Sequence, residues 1–305
     1  MSAIITRRLL TIAVTLFVVS VVVFLLLRLA PGDPATLILG DTGNSARIAK
    51  VRAEMGLDQP LPVQYFLWLG HVIRGDLGTS FMTGEPVAQA LWRHFLVTLQ
   101  LITPAFIISL LFAIPIGILA GWRQDTKLDL AIVGSASVFV SMPSFVVALL
   151  LNLVFGIALG WLPTMGFVSL GDGPLQWLQH IILPVTALLI VEAGILIRFM
   201  RTNTIEVLNQ DYIAYARSKG LSEWELLRLH VFKNTLAPTL SLVGLMLSSL
   251  LSGTAVIETV YSIPGLGRFL VDAVYARDYP VIQGVLLFVV VVYAVVNLVF
   301  ELIQP

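Results

Sequence analysis

One carboxylate lies inside a long apolar run of the sequence. Glu192 interrupts the run that extends from Ile181 to Ile197 and stands roughly two helical turns before its end. An ionisable side chain at such depth in a membrane span is costly and marks a functional hypothesis. Three environments would satisfy Glu192: a polar cavity, an ion pair with Arg198 or Arg201, or a protonated carboxyl bonded to a backbone carbonyl.

Prolines and serines interrupt the other apolar runs. A proline inside a helix leaves backbone carbonyls that need neighbours, water or hydroxyl groups. Ser141 and Ser144 flank Pro143, and further serines give another run a face of small residues. Such a face serves either close helix packing or the lining of a water-filled path, and both interpretations remain open. The candidate path residues are Ser141, Pro143, Ser144, Glu192, Ser248, Ser249 and Ser252.

Motifs of enzymatic chemistry are missing from the sequence. It contains no Gly-x-x-x-x-Gly-Lys phosphate loop, no Gly-x-Gly-x-x-Gly and no His-Glu-x-x-His. Cysteine is absent, and the four histidines are scattered over separate segments, where we expect interfacial or capping roles. We therefore expect no catalytic residue, no metal site and no cofactor in this chain.

The composition indicates an integral membrane protein. Hydrophobic residues make up 58% of the chain, charged residues 12%, and the mean hydropathy is +0.94, whereas soluble domains carry about 25% charged residues. Continuous apolar runs near the bilayer-spanning length favour helices over a barrel. Zero net charge, with basic residues that are not gathered into a groove, argues against a nucleic-acid partner.

The apolar runs predict an all-α membrane protein with six transmembrane helices. The predicted spans are approximately 9–27, 96–120, 128–151, 181–197, 239–257 and 280–302, the third broken at Ser141-Met-Pro-Ser144. We expect three regions: residues 1–30 with the first span, an extracytoplasmic lobe of residues 31–95, and a core of residues 96–305. Within the lobe, short helices are predicted at 46–55, 63–73 and 87–95, and a second external loop is predicted at 258–279.

Basic residues predict the orientation. Short loops on one side carry ten Lys and Arg residues against two on the other, and the long lobe is exempt from the positive-inside rule. Both termini are therefore expected in the cytoplasm, and the expected location is a bacterial or archaeal cytoplasmic membrane. The polar segment between spans four and five, approximately 198–238, is then a cytoplasmic loop with a helical pattern that is broken at Gly220.

The cytoplasmic segment carries a resemblance to a known family. Asp211-Tyr-Ile-Ala-Tyr-Ala-Arg-Ser-Lys-Gly-Leu-Ser-Glu-Trp224, followed by His230-Val-Phe-Lys-Asn-Thr-Leu-Ala-Pro238, resembles the coupling loop of permease subunits of binding-protein-dependent ABC importers, in their peptide/opine/nickel class. Matching stretches follow in order: Arg28-Leu-Ala-Pro-Gly-Asp-Pro34, Gly56-Leu-Asp-Gln-Pro60, Arg74-Gly-Asp-Leu-Gly-Thr-Ser80, Ile181-Ile-Leu-Pro184, Glu258-Thr-Val-Tyr-Ser-Ile-Pro-Gly-Leu-Gly267 and Arg277-Asp-Tyr-Pro-Val-Ile-Gln283.

The resemblance implies an importer permease fold of type I and a loop that docks in a groove of an ATPase. Ala216 and Gly220 match the importer motif Glu-Ala-Ala-x-x-x-Gly, whereas Ala214 stands where that motif has Glu. We expect Ala216 to leave a small surface for close approach, with a charged rim beside it. The predicted coupling residues are Asp211, Ala214, Ala216, Arg217, Lys219, Gly220 and Glu223.

The resemblance also implies partners. These are a second homologous permease, two ATPase subunits that bind ATP and Mg²⁺, an extracytoplasmic solute-binding protein, and the lipid bilayer. Residues expected to face the binding protein are Asp76, Arg268, Asp272, Arg277 and Asp278. Relatives usually continue beyond the last span into an Asp-Pro-Arg-Ile-Arg-like tail, so the end Asn297-Leu-Val-Phe-Glu-Leu-Ile-Gln-Pro305 suggests a shortened tail.

Several functions remain open at this point. Small peptides are the expected solute, with nickel chelates, glutathione or opines as alternatives in the same architecture. An ion-coupled secondary transporter would use Glu192 as its coupling carboxyl and would need no ATPase. A membrane enzyme is disfavoured because no acid, base and nucleophile cluster at either surface, and an assembly scaffold would need no conduction path.

Overall fold

The computed structural model describes residues 2–29, 49, 52–53 and 58–303, and the regular structure in these ranges is helical. This confirms the all-α fold class. The expected helix at 46–55 lies largely outside the described residues. The helices, numbered in chain order, are α1 (Ser2–Leu29), α2 (Leu61–Ile73), α3 (Val87–Trp122), α4 (Lys127–Ser141), α5 (Ser144–Leu151), α6 (Pro174–Leu208), α7 (Asp211–Ser218), α8 (Glu223–Leu226), α9 (Phe232–Val260), α10 (Leu266–Ala276) and α11 (Tyr279–Ile303). Wide π-helical turns extend α5 over Asn152–Ala158 and join α8 to α9 over Leu227–Val231.

Within the described ranges, 4 helices are long and apolar enough to cross a bilayer. They are α3, α6, the continuous helix Glu223–Val260, and α11 over Tyr279–Phe300. The bent pair of α4 and α5 gives up to 5 spans if it counts as one. In α1 the described apolar part, Leu10–Leu25, is shorter than these spans. The six-span count therefore stays a prediction.

The break predicted in the third span is present. The α4 and α5 axes differ by 99° across Met142 and Pro143. Met142 has an extended backbone (φ −91°, ψ 126°), as expected because a following proline disfavours the helical region for the residue before it. Pro143 then precedes the first turn of α5, where its missing N–H group costs no helical hydrogen bond.

The chain divides into two compact units. The first contains the described residues up to Phe95 together with Phe269–Val295. In it, α1 packs against α2: the Ser20 and Tyr65 hydroxyl groups are 2.8 Å apart, and the Phe24 ring lies 5.4 Å from that of Tyr65. Glu85 also lies in this unit, and a hydrogen bond from Arg93 holds the pKa of Glu85 below its usual value.

The second unit contains Leu96–Arg268 and the residues from Val296 onward. Its largest core joins residues of α3, α5, α6 and α9 and includes the fully buried Leu101, Ala187 and Ile257. Many apolar side chains on the other faces of these helices are exposed, among them Leu111 and Leu149. This pattern suits helices that are surrounded by lipid.

Three regions differ from the sequence expectations in where helices begin and end. Residues 87–95, expected as a separate lobe helix, form the first turns of α3 because neither glycine nor proline interrupts residues 87–103. The expected external loop at 258–279 contains the helix α10, which includes Gly267. The span expected at 181–197 extends from Pro174 to Leu208, so the residues from Arg198 onward continue a helix.

Two glycines allow α3 and α6 to approach closely. A Cβ added at Gly117 would lie 2.5 Å from the Met200 Cβ atom and 2.8 Å from the Ile197 carbonyl oxygen. A Cβ at Gly121 would lie 2.6 Å from the Thr204 Cβ atom. Gly117 and Gly121 are separated by one helical turn, which is the spacing that lets membrane helices pack backbone to backbone.

Gly117→Ala is expected to destabilise the protein by roughly 1–3 kcal/mol, because the added methyl group overpacks the contact between α3 and α6. Gly134→Ala is the matched control, since a Cβ there meets nothing within 4 Å and alanine favours helix by about 1 kcal/mol over glycine. The midpoint of thermal unfolding in detergent measures both changes. Equal midpoints for the two variants would show that the close approach is absent.

Candidate functional site

A pair of short helices follows α6 at the position of the predicted coupling loop. α7 ends at Ser218, and Gly220 then takes a left-handed backbone (φ +88°) that favours glycine. Ser222 caps α8: its hydroxyl group accepts a hydrogen bond from the backbone N–H of Glu225, and the Glu225 carboxylate accepts one from the backbone N–H of Ser222. The predicted helix break at Gly220 is therefore present.

A small apolar core holds the two short helices together. It consists of Ile213, Ala216, Leu226 and Val231, each buried. Ala216 is only 8% exposed, so it does not present the small outward surface that we expected. Its methyl group faces inward because residues 213 and 216 lie on the same side of α7, and its small size lets α7 approach the following helix.

The outward face of the helix pair is apolar and aromatic with a charged rim. We call this face the coupling surface; its exposed aromatic members on α7 and α8 are Tyr212, Tyr215 and Trp224. Arg217 Nε donates to Glu223 Oε1 at 2.8 Å, and this bond raises the pKa of Arg217 above its usual value. Lys219 Nζ lies 4.6 Å from the centre of the Tyr215 ring.

The other predicted coupling residues border the coupling surface. Asp211 and Ala214 are exposed on α7. Asp211 lies in the first turn of α7, where a negative charge is favoured by the helix dipole. The exposed Gly220 has no atom within 4 Å of where a Cβ would stand, so the surface is open there.

A cavity of about 330 Å³ lies beside the break between α4 and α5. Five of the seven candidate path residues line it, and α6 and α9 complete its walls. The lining residues are Val140, Ser141, Met142, Pro143, Ser144, Leu188, Val191, Glu192, Ser249, Leu250 and Gly253. Ser248 and Ser252 do not line it; the hydroxyl group of Ser248 donates to the Gly244 carbonyl, and that of Ser252 donates to the Ser248 carbonyl.

Glu192 is buried at the wall of this cavity. It is 6% exposed, and Ser249 Oγ donates to its Oε1 at 3.2 Å. Its other oxygen, Oε2, has no hydrogen-bond partner among the described residues. Of the three environments considered for Glu192, the structure shows a cavity, whose lining is largely apolar. A role of Glu192 in a translocation path stays a prediction.

Arg201, which was considered as a partner for Glu192, pairs with Asp129 instead. Arg201 Nε and Nη2 donate to the two oxygens of Asp129 at 2.6 and 2.7 Å. Asp129 is 1% exposed and also accepts from the backbone N–H of Asp125 at 3.0 Å. This bidentate pair connects the start of α4 to α6.

A buried carboxylate that sequence reasoning did not assign lies at the end of α9. Glu258 is fully buried, and it accepts hydrogen bonds from Thr98 Oγ1 at 2.5 Å and from the backbone N–H of Arg268 at 2.9 Å. Thr98 Oγ1 accepts in turn from the backbone N–H of Leu266 at 2.7 Å. Thr98 and Glu258 therefore satisfy the free N–H groups at the start of α10. The sequence feature that could have drawn attention to Glu258 is its position directly after the apolar Ile257.

The residues expected to face a binding protein occupy different environments. Asp76, Asp272 and Arg277 are exposed, and Arg268 is half-buried. Asp278 is only 3% exposed, which corrects its expected outward position. Its carboxylate accepts hydrogen bonds from the Ser80 hydroxyl and from the backbone N–H of Phe81, so it holds the turn after Ser80. Among the described residues, no group of three or more His, Cys, Asp or Glu could hold a metal ion.

Two family descriptions match nearly the whole chain. Residues 113–305 match the "binding-protein-dependent transport system inner membrane component", and residues 1–102 match the N-terminal part of the corresponding membrane component. The chain belongs to this family. It is therefore a multi-pass permease of the inner membrane, and the predicted resemblance is confirmed.

Relatives resemble the permease over almost its full length. A protein of Brucella suis biovar 1 (strain 1330), provisionally named a peptide transport system permease, is 40% identical and aligns over 99% of this chain and 96% of its own. The glutathione transport system permease GsiC of Salmonella choleraesuis (strain SC-B67) is 40% identical over 97% of this chain and 94% of its own.

A solved structure shares the fold of the permease. The MetNI methionine ABC transporter in an inward-facing conformation matches with a TM-score of 0.57 and 17% identity, over 71% of this chain and 95% of that chain. At this identity the match shows the fold alone. It supports the predicted α-helical fold of type I importer permeases.

Proposed function

We propose that the permease forms half of the translocation path of an ATP-driven importer for small peptides. A second homologous permease completes the path, two ATPase subunits bind ATP and Mg²⁺, and an extracytoplasmic binding protein delivers the solute. The coupling surface carries the proposal, because it combines exposed aromatic side chains with an Arg–Glu pair on a well-packed helix pair. Aromatic residues and arginine are enriched at protein interfaces.

The connectivity indicates how movement of the coupling helices reaches the path. α8 continues through π-helical turns into α9, and only Asn209 and Gln210 separate α6 from α7. α6 contributes Glu192 to the cavity and α9 contributes Ser249. A displacement of the coupling helices by an ATPase would therefore move two walls of the cavity. The Asp129–Arg201 pair would transmit the movement of α6 to α4.

The orientation follows from the coupling surface and the basic residues. ATPase docking requires α7 and α8 in the cytoplasm, and the short loops with most Lys and Arg lie on that side. Both termini are then cytoplasmic, and the exposed Asp76, Asp272 and Arg277 are available to the binding protein outside. The catalytic step of ATP hydrolysis takes place in the partner subunits.

The names of two similar permeases support peptides as the proposed solute class. One relative is provisionally named for peptide transport and another for glutathione, which is itself a small peptide. Both are 40% identical to this chain over nearly its full length. Nickel chelates and opines remain alternatives within the same architecture.

ATP hydrolysis by the co-purified complex tests the proposed partnership. The permease, its partner permease and the two ATPases are co-expressed, purified by a tag on this chain, and reconstituted in nanodiscs. We expect the ATPases to co-purify, and we expect peptide-loaded binding protein to raise their rate of hydrolysis. Peptide uptake by the permease without ATPases, driven by an ion gradient, would instead support the ion-coupled alternative with Glu192 as the coupling carboxyl.

A further inference from the structure

Among the described residues, one ionisable side chain lines the cavity beside the α4–α5 break. Of its lining residues, Glu192 is ionisable; the others are serines, apolar side chains, a proline and a glycine. No Lys, Arg or His of the described residues lines it. An ionised carboxylate in such a place favours a ligand with positive charge, because charges interact more strongly in a buried site than in water.

The neighbouring basic residues of the described chain do not neutralise Glu192. Arg201 uses its guanidinium to bind Asp129, and Arg198 is exposed at the surface. Ser249 donates to Oε1 of Glu192, and Oε2 is left without a hydrogen-bond partner among the described residues. Buried polar atoms are nearly always hydrogen-bonded, so an unpartnered oxygen at a cavity wall is an acceptor available for a ligand.

We infer that Glu192 recognises the α-ammonium group of a small peptide inside the path. This inference rests on the proposed peptide importer and adds a recognition residue in the membrane to it. An ammonium group has three donors and no acceptor, which matches the free acceptor Oε2. The volume of about 330 Å³ lies at the lower end of ligand pockets, which measure about 300–1,000 Å³, and therefore suits a di- or tripeptide.

The other polar side chains that line the cavity are serines. Ser141 Oγ donates to the Ser137 carbonyl at 2.8 Å, so its lone pairs remain to accept a ligand donor. Ser249 Oγ donates to Glu192 Oε1 and so orients the carboxylate at the cavity wall. A cavity with one carboxylate and several hydroxyl groups can bind the amino terminus of many peptides without reading their side chains, since the ammonium group is common to all of them.

Direct binding to the purified complex tests this inference without the binding protein. The complex with its ATPases is placed in nanodiscs, and binding of alanyl-alanine and of N-acetyl-alanyl-alanine is measured by calorimetry. We expect wild-type protein to bind alanyl-alanine at least about tenfold more tightly than the acetylated peptide, as for a hydrogen bond to a charged group. Glu192→Gln is expected to abolish this difference by weakening the binding of alanyl-alanine.

Glu206→Gln is the matched control, because Glu206 is an exposed acid on the same helix. It is expected to bind both peptides as wild-type protein does. If Glu192→Gln fails to fold, the comparison of the two peptides on wild-type protein still tests whether the cavity recognises the ammonium group. Equal affinity of wild-type protein for the two peptides, or no saturable binding of alanyl-alanine, would overturn the inference. If the inference fails in this way, uptake of alanyl-alanine is measured with wild-type protein, ATP and binding protein. ATP-driven uptake would still support the proposed function, whereas no uptake would contradict the proposed function as well.

Discussion

Glu258→Ala is expected to lower the free energy of unfolding by about 3 kcal/mol or more, because it removes the acceptor of two buried donors. The carboxylate of the fully buried Glu258 accepts from Thr98 Oγ1 and from the backbone N–H of Arg268. The packing around it is also tight, since a Cβ at Gly265 would collide with the carboxylate. The loss is measured as a lower midpoint of thermal unfolding of the purified permease in detergent.

Two further variants make this result specific. Glu206→Ala removes an exposed acid and is expected to change stability by less than about 0.5 kcal/mol. Thr98→Val removes one donor of the same network, so its effect and that of Glu258→Ala should be less than additive in the double variant. A Glu258→Ala protein as stable as Glu206→Ala would contradict the buried network.

Trp224→Ala is expected to weaken retention of the ATPases by roughly 30-fold or more, which corresponds to about 2 kcal/mol or more for an interface hot spot. Trp224 is 64% exposed on the coupling surface although it is a large aromatic residue. Burial against a partner would explain this exposure, and tryptophan is enriched among hot spots. The dissociation constant between the permease pair and the ATPases measures the effect.

Tyr275→Ala is the control for the docking prediction. Tyr275 is 86% exposed on α10, on the proposed external side of the membrane, so its removal is expected to leave ATPase retention unchanged. The fold should tolerate both substitutions, since neither side chain contributes to a buried core. Equal retention of the ATPases by Trp224→Ala and wild-type protein would refute the assignment of the coupling surface.

Local sequence signals predicted the features that depend on one or two residues. Pro143 predicted the break between α4 and α5, because proline restricts the residue before it, and Gly220 predicted the end of α7 through its left-handed backbone. Glu192 was singled out as a lone acid in an apolar run, and the structure places it at a cavity wall. Each of these signals is contained in a few neighbouring residues.

Features that depend on distant residues were not predictable from the sequence. Glu258 looked like the first residue of an external loop, and its partner Thr98 lies 160 positions away. Asp278 was expected at the surface, but its partner Ser80 is 198 positions away. Ala216 lay in a recognised motif, yet the direction of its side chain depends on how α7 packs on Leu226 and Val231. The pairing of Asp129 with Arg201 likewise required the packing of α4 on α6.

ATP-dependent uptake of a labelled di- or tripeptide into proteoliposomes tests the central claim most directly. The vesicles contain this permease, its partner permease and the two ATPases, with ATP and Mg²⁺ on the ATPase side and binding protein on the other. We predict accumulation that requires ATP and binding protein and that persists when ionophores collapse the ion gradients. Accumulation that is unchanged without ATP and is abolished by the ionophores would contradict the account.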